Sequence, residues 1–600
     1  MSVSASQWIP PRLTGRNFFV FGAVFLSVLL WTLPATMLIE NQVYNLWDPV
    51  THFNNQLRIL YGAGTGHAWC FLSDFLGAAW LAICPVKAIY WWFYFGGAVV
   101  NALTCALFAV LCQDLFQSGA AIAIVCGILG AMTPPVQFFL HISYNFVPRL
   151  LFVVLLILSC LLFRQRHKFW LLFAMGGCNL LLICSRLTTL TLLAVPILLL
   201  LYTAMANHWL QHPDWRSLFG SCLGLKKLLR SRQCHRWLLG WGAGFTAALI
   251  LMIGLYKYYN VDLFNVAETQ ASGSMFKTLF DFFIDANGKS CIWGLLVALW
   301  VIWQNKLGNA RILYACNLLL PLLSAAILLL VNHYSNAEYV EYLYESANPL
   351  LIAAGLLLLY SLWQKKPAIM NLSRPNRLRL FWAFVCVLYW ENSVGAGSFI
   401  IYWMQSNTLF AQNIFFCQAM FLAVDSRYKK LICISILTTL AVIGVLSYSI
   451  YSFPKLSDMC NLKQFQSPEM RFFFHSNPKI VDEYDNAVTL LRRHIRPGDT
   501  VYEYIPSFLS RMSPVTTALG GIPAFSYWRD VKAPAPGEIY ADHLLIWHRN
   551  SNLHSAPTQN YFFPLDSINN ALLITGKYQL DVYNSAFSLY SANQKIEKTP

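Results

Sequence analysis

Long apolar runs recur from about residue 17 to residue 453, and they constrain the fold of this chain more than any other feature. Of the 600 residues, 57% are hydrophobic and only 12% are charged, and the mean hydropathy is +0.49. So few charges cannot cover a soluble globule of this size. The sequence therefore predicts an α-helical, polytopic membrane protein.

The apolar runs are long enough to cross a bilayer many times, since a spanning helix needs about 20 apolar residues. We predict thirteen spans, near residues 17–39, 88–112, 119–140, 148–163, 169–185, 187–205, 237–256, 290–304, 312–332, 348–363, 380–404, 407–424 and 431–453. Residues 67–84 are also apolar. Their Ser73, Asp74 and Pro85 make helices lying at the interface an equally good interpretation.

The basic residues decide between these interpretations. With a cytoplasmic N-terminus and no crossing at 67–84, every basic cluster faces the cytoplasm, as the positive-inside rule requires. These clusters lie at 12–16, 164–168, 226–236, 365–379 and 427–430. The net charge of +15 is thus an orientation signal beside anionic headgroups, and we expect no nucleic-acid binding. The first outer loop, 40–87, and the C-terminal domain are then extracytoplasmic.

The chain divides by composition into two domains. Residues 1–453 form the predicted transmembrane domain, and residues 454–600 lose the long apolar runs and gain proline, aspartate and asparagine. In this second part "VDEYDNAVTLLRRHI" has helical spacing, "RPGD" is a turn signal and "TVYEYI" indicates a strand. We expect a small extracytoplasmic α/β domain.

Polar residues gather on the outer face in this topology. The sequence lacks a phosphate-binding glycine loop with its lysine, HExxH, paired CxxC and GxSxG, so cytoplasmic nucleotide chemistry is not indicated. Glu391 lies inside a predicted span, where an ionisable group is costly and usually functional or paired. The outer polar residues are Glu40, Asp48, His52, Arg58, Asp74, His141, Arg149, Arg186, Glu338, Glu341 and Glu345.

Three stretches carry a resemblance to a known family. "WDPVTHFNNQLRILYG", residues 47–62, resembles the acid-containing first outer loop of the GT-C superfamily, the membrane glycosyltransferases that use polyprenol-phosphate-linked sugars. "CSRLTTLTLLAVP", residues 184–196, is similar to the arginine that these proteins place between two central spans. "AVTLLRRHIRPGDTVYEYIPSFLSRMSPVTTALGG", residues 487–521, is similar to the start of the soluble domain in bacterial members.

The resemblance implies a multi-pass enzyme of the bacterial inner membrane with a periplasmic C-terminal domain. It would transfer a sugar from a polyprenyl-phosphate donor to a hydroxyl of a glycan, lipid or protein acceptor, with inversion. Asp48 would take the proton of the acceptor or hold a divalent metal, Mg²⁺ or Mn²⁺, that does so. Arg149 or Arg186 would neutralise the departing lipid phosphate. The other candidate substrate-binding residues are Glu40, His52, Arg58, Asp74, Glu338, Glu341 and Glu391.

Each assignment from the first outer loop has a structural alternative. Asp48 followed by Pro49 is a common helix-start pattern, so Asp48 alternatively caps a helix. His52 alternatively is a packed or surface histidine, and Asp74 alternatively is solvated at the interface.

The later candidates have alternatives too. Arg149 and Arg186 alternatively are interfacial side chains that reach the headgroups. Glu338, Glu341 and Glu345 have helical spacing and alternatively form a solvated helix face.

Two other functions stay open at the level of the sequence. A transporter or flippase for a lipid-linked glycan would have an inverted repeat and charges at the bilayer midplane. No repeat is evident, and Glu391 is the clear deep acid. An O-antigen polymerase or ligase would carry its large polar loop between late spans, whereas here the polar residues are concentrated at the C-terminus.

Overall fold

A computed structural model describes a large part of the chain. The described residues are 15–37, 47–62, 70–84, 88–115, 119–131, 141–143, 146–164, 169–197, 232–259, 261, 287–307, 309–334, 349–364, 416–417, 419–424, 428–452, 462–475, 477–504, 516, 518–523, 541–547, 578–584 and 587–593. All structural statements below refer to these residues.

Helices dominate the described residues. They are α1 (Gly15–Met37), α2 (Trp47–Leu60), α3 (Phe71–Ala82), α4 (Ile89–Leu115), α5 (Ala120–Ala131), α6 (Phe146–Arg164), α7 (Phe169–Ser185), α8 (Arg232–Tyr258), α9 (Asn287–Lys306), α10 (Ala310–Tyr334), α11 (Pro349–Trp363), α12 (Lys429–Ser452) and α13 (Pro478–Leu491). Apart from α2, α3 and α13, each of these helices overlaps a predicted span. The mainly helical character is therefore confirmed.

Three of the described helices are long and apolar enough to cross a membrane. They contain Gly15–Pro34, Ile89–Gln113 and Cys234–Tyr258. Several other apolar helices are shorter within the described residues, and the predicted span 187–205 begins as a 3₁₀ helix, Leu187–Leu193. The predicted span 380–404 lies outside the described residues. The total of thirteen crossings therefore stays a prediction.

Helix α3 occupies the apolar stretch 67–84 that the basic residues exclude as a crossing. Its 12 residues give a length of about 18 Å, which is short of the ~30 Å hydrocarbon core. It packs against α2, and the two helices approach closely where Gly77 faces the side chain of Gln56. A Cβ at residue 77 would overlap the Gln56 amide, so glycine permits this contact.

The C-terminal part contains a mixed five-stranded sheet. Its strands are β3 (Thr500–Tyr504), β4 (Ile522–Pro523), β5 (His543–Trp547), β6 (Tyr578–Tyr583) and β7 (Phe587–Ala592), in the order β4-β3-β5-β7-β6. Strand β3 is parallel to β4 and β5, whereas β7 is antiparallel to β5 and β6. Two short strands, β1 (Lys463–Gln464) and β2 (Phe474–His475), form a separate antiparallel pair.

Helix α13 and strand β3 fall where the sequence predicts a helix and a strand. Asn477 caps the helix because its Oδ1 accepts a hydrogen bond from the backbone N–H of Lys479 at 3.0 Å, and Pro478 follows in the first turn. Val481, Val488 and other apolar residues of α13 are buried together with residues of β3 and β5. The turn between α13 and β3 contains Gly498, whose φ of 90° favours glycine.

The C-terminal part packs against α2 and the start of α4. Tyr90 contacts Phe473 with ring centroids 5.1 Å apart, and Trp91 stacks on Phe472 at 4.6 Å. The ring of Tyr61, just after α2, lies 3.5 Å from the position of a Cβ built on Gly498. The α2–α3 pair and the C-terminal sheet therefore lie at the same end of the helical bundle.

The side of the membrane on which this end lies can be tested directly. We expect a reporter fused after Pro600 to be extracytoplasmic and one inserted near Lys226 to be cytoplasmic, because the basic clusters orient the chain. A third reporter, in the connection 63–69, should match the one after Pro600, because α2 contacts the C-terminal part. Paired alkaline phosphatase and green fluorescent protein fusions measure this. Reporters at Pro600 and Lys226 on the same side would contradict the predicted topology.

Candidate functional site

Helix α2 positions the candidate catalytic residue. It begins at Trp47, so Asp48 lies inside the first turn and does not precede the helix. The side chain of Asp48 lies outside the described residues. His52 follows four residues later, on the same face of the helix, because residues four apart are stacked one turn above the other. The candidate base is therefore one turn away from a histidine.

His52 forms a buried pair with Asp74 of α3. The His52 Nδ1 and Asp74 Oδ1 atoms are 2.5 Å apart, and both side chains are almost fully buried, at 2% and 0% exposure. When Asp74 is ionised, the Nδ1–H of His52 donates this hydrogen bond. Asp74 is therefore not solvated at the interface, and His52 is not a surface histidine; whether either binds a ligand stays a prediction.

Two further buried side chains complete the hydrogen bonding of Asp74. The Nδ2 of Asn55 donates to Asp74 Oδ2 at 2.9 Å, and the Cys70 thiol approaches the same oxygen at 3.4 Å. Asp74 also lies in the first turn of α3, where the helix dipole stabilises a carboxylate. The polar cluster His52, Asn55, Cys70 and Asp74 therefore joins α2 to α3, and we call it the α2–α3 cluster.

A short segment, 141–143, packs beside this cluster and contacts α2 and α4. The rings of His52 and His141 lie 5.2 Å apart, and His141 stacks on Phe93 of α4 at 5.1 Å. The Nε2 of Gln56 donates to the backbone carbonyl of Ile142 at 2.8 Å. Successive turns of α2 are thus held from two sides, by α3 and by segment 141–143.

Arg186 lies next to the first turn of α3. The Ser73 hydroxyl donates to the carbonyl oxygen of Ser185 at 3.3 Å. The C-terminal end of α7 therefore contacts the residue that precedes Asp74 in α3. Arg186 is 4% exposed. An arginine buried in protein does not reach the headgroups, so the interfacial alternative is wrong for Arg186.

Arg149 has a contact that is structural. In the first turn of α6, its guanidinium donates to the carbonyl oxygen of Gly130 at 3.0 Å, near the C-terminal end of α5, and it is 2% exposed. A cation beside carbonyls of a helix C-terminus stabilises that end. Burial excludes the interfacial interpretation here too.

The other predicted residues are not brought into the cluster by the described structure. Arg58 is partly buried on α2, one turn after Asn55. Four candidates lie outside the described residues, so their roles stay predictions: Glu40, Glu338, Glu341 and Glu391.

Sequence reasoning missed Asn55, Cys70 and Ser185 as neighbours of the site. The available signal is spacing: Asn55 comes three residues after His52, and Cys70 comes four residues before Asp74, so each pair shares a helix face. Nothing in the sequence shows that the two faces meet across α2 and α3.

The donor atoms of the α2–α3 cluster determine which metal ions it could bind. Ligand atoms of His52, Cys70 and Asp74 lie within 4.8 Å of one another, and all three residues are buried. Mg²⁺ and Mn²⁺ prefer oxygen ligands, whereas this set offers nitrogen, sulphur and oxygen. The cluster therefore does not fit Mg²⁺ or Mn²⁺, and such a metal held by Asp48 stays a prediction.

Comparisons with known proteins add one similarity. No family model matches the chain, and no curated protein matches it. The chain is similar to ArnT. The solved structure is that of ArnT from Cupriavidus metallidurans in the apo state, and the match covers 96% of this chain and 97% of that one, with 12% sequence identity and a TM-score of 0.35. An identity of 12% and a TM-score of 0.35 do not establish a shared fold or activity.

Proposed function

We propose that this protein is an inverting membrane glycosyltransferase that moves a sugar from a polyprenyl-phosphate donor to an acceptor hydroxyl at the extracytoplasmic face. One observation carries the proposal. Asp48 lies in the first turn of α2, and the following turns of that helix are fixed by the buried His52–Asp74 and Asn55–Asp74 hydrogen bonds.

This fixation matters because catalytic groups act efficiently only when they are held in place. Small errors in position cost large factors in rate, and rigid helices position residues better than loops do. A buried hydrogen-bonding group that loses its partner costs about 1–3 kcal/mol, so the α2–α3 cluster resists movement. Asp48, four residues before His52, is attached to this fixed part of the helix.

The proposed chemistry needs a base for the acceptor hydroxyl and a cationic group that stabilises the negative charge of the leaving phosphate. The carboxylate of Asp48 takes the proton of the acceptor hydroxyl, whose oxygen forms a bond to the anomeric carbon. The bond from that carbon to the lipid phosphate breaks, and the phosphate leaves with the electron pair. Attack from the opposite side inverts the anomeric centre. Stabilisation of the charge that develops on the leaving group is often the largest contribution to such catalysis.

Arg186 is the better of the two candidate arginines for the lipid phosphate. It adjoins the first turn of α3, beside the α2–α3 cluster, through the Ser73–Ser185 hydrogen bond, whereas Arg149 lies at the junction of α5 and α6 and contacts the carbonyl of Gly130. A guanidinium binds phosphate with two parallel hydrogen bonds. The surrounding apolar helices suit a donor with a polyprenyl chain.

The proposal can be tested by inactivating the gene in the source cell and measuring the lipid-linked sugars. Inactivating the gene should make one polyprenyl-phosphate sugar accumulate and should remove that sugar from one envelope glycan, lipid or protein. Mass spectrometry of extracted lipids and of the envelope measures both. An unchanged lipid-linked sugar pool together with an unchanged envelope would contradict a transferase. Accumulation of the intact glycan on the cytoplasmic side would instead indicate a flippase.

Replacing Arg186 by lysine separates charge from geometry. Arg186→Lys keeps the positive charge but loses the bidentate geometry, so we expect transfer to fall about 10- to 100-fold, as for the loss of a charge-assisted hydrogen bond of ~1.5–3 kcal/mol. Arg149→Lys should instead lower the melting temperature of the protein, because it weakens the contact with Gly130. Arg311→Lys, exposed at the start of α10, is the matched control. Native transfer by Arg186→Lys would exclude this residue as the phosphate ligand.

A further inference from the structure

We propose that His52, Cys70 and Asp74 form a zinc-binding site that fastens α2 to α3. The site does not depend on the proposed sugar transfer, because it follows from the donor atoms alone. The Nδ1 of His52 in α2, the Sγ of Cys70 just before α3 and a carboxylate oxygen of Asp74 in α3 lie within 4.8 Å of one another. Each of the three side chains is buried.

The donor set selects the ion. Imidazole, thiolate and carboxylate are the ligands that proteins use for Zn²⁺, whereas Mg²⁺ and Ca²⁺ take oxygen. A thiolate among three ligands points in particular to a soft or borderline metal. Three protein ligands leave a fourth tetrahedral position, which a water molecule or another oxygen ligand fills.

The spacing of the donor atoms is close to what zinc requires. Bonds of about 2.0–2.3 Å in a tetrahedron place ligand atoms roughly 3.3–3.8 Å apart. The Cys70 sulphur is already 3.4 Å from Asp74 Oδ2. The His52 Nδ1 lies 2.5 Å from the other carboxylate oxygen, Asp74 Oδ1, so binding through Oδ1 requires this distance to lengthen by about 1 Å, whereas binding through Oδ2 keeps the sulphur–oxygen distance as it is.

Charge and burial also favour zinc. A Zn²⁺ ion, one thiolate, one carboxylate and one neutral imidazole sum to zero charge, so the loaded site avoids a net charge in a buried place. Binding removes the proton of the Cys70 thiol, and a neutral His52 must carry its remaining proton on Nε2. Zinc uptake therefore releases about one proton per ion and weakens as the pH falls.

Asn55 positions a ligand and does not bind the metal in this proposal. Its Nδ2 donates to Asp74 Oδ2 at 2.9 Å and so orients the carboxylate. Loss of such an outer hydrogen bond typically weakens metal binding about 10- to 100-fold. Asn55→Leu should therefore keep the zinc content at saturation while raising the dissociation constant by that factor.

The test uses the purified full-length protein and zinc alone. After treatment with a chelator and titration with ZnCl₂ against a chromogenic competitor, we expect about one Zn²⁺ per chain by mass spectrometry. Cys70→Ser should lose this binding, yet it should fold, because serine is close in size and is a good residue at the position before a helix. Cys84→Ser, after the end of α3, is the matched control and should bind zinc as the wild type does.

Cobalt provides a second, spectroscopic readout of the same site. Co²⁺ bound to the wild-type protein should give a thiolate-to-metal charge-transfer band in the near ultraviolet, which Cys70→Ser removes and Cys84→Ser retains. Zinc should also raise the melting temperature of the wild type, because it binds the folded site. Zinc binding by Cys70→Ser equal to that of the wild type, or wild-type protein that binds neither metal, would overturn the proposal.

Discussion

Asp48→Asn should abolish sugar transfer while leaving the amount of protein in the membrane unchanged. Asparagine has the size of aspartate and should leave the first turn of α2 intact, but it cannot take a proton. A positioned general base contributes about 10²- to 10⁴-fold to the rate, so we expect a loss of at least that order. The measurement is complementation of the inactivated gene, with lipid-linked sugar and transferred sugar quantified by mass spectrometry.

The matched control is Asp482→Asn, on the exposed face of α13, which should transfer normally. Asp48→Ala separates the catalytic role from a role of the polar side chain in the first turn of α2. If the asparagine variant transfers sugar at nearly the native rate while the alanine variant fails to accumulate, Asp48 is a helix-start residue only. The base should then be sought at Glu40, Asp74 or Glu338.

The positions of several helices follow from the sequence because a helix across a membrane must be apolar along its whole length. The predicted span 169–185 coincides with α7, and the predicted span 88–112 lies within three residues of both ends of α4. Hydropathy alone misleads at 67–84, which is apolar but forms the short helix α3. The basic clusters correct this, since a crossing there would place every later cluster on the wrong side.

The α2–α3 cluster was only partly predictable, because its contacts join residues far apart in the chain. His52 and Asp74 were candidates for substrate binding, but their separation of 22 positions in the sequence conceals that their side chains meet. The roles of Asn55 and Cys70 cannot be predicted without knowing that they contact Asp74, since asparagine and cysteine occur on many buried helix faces. Their roles become visible only when α2 and α3 are placed side by side.

In the C-terminal part, too, individual helices and strands can be predicted from the sequence, whereas the pairing of distant strands cannot. Helix α13 and strand β3 are predictable from local patterns, because capping residues and alternation act over a few positions. The parallel pairing of β3 with β5 is not, because Val501 pairs with His543 across a long connection. Register between distant strands depends on burial of their shared face, which a single sequence does not display.

Gly244→Ala should destabilise the protein, although alanine is the better helix former. Helices α7 and α8 pack so closely that a Cβ at Gly244 would overlap the carbonyl of Phe173, and one at Gly176 would overlap the carbonyl of Trp241. Small residues allow such close backbone approach between membrane helices. The obstacle is backbone on the neighbouring helix, which cannot rotate away as a side chain can, so we expect a loss of about 1–3 kcal/mol.

Gly242→Ala, on the same helix, should change the stability in the opposite direction. Comparing the two variants therefore separates the effect of packing from that of helix propensity. A Cβ at Gly242 meets no atom within 4 Å, so the substitution should gain about 0.5–1 kcal/mol from helix propensity alone. Melting temperatures of the two variants in the same detergent measure the difference, which should place Gly244→Ala below the wild type and Gly242→Ala at or above it. Equal melting temperatures would show that α7 and α8 do not meet at these glycines, and Gly176→Ala, the reciprocal contact, should then be harmless as well.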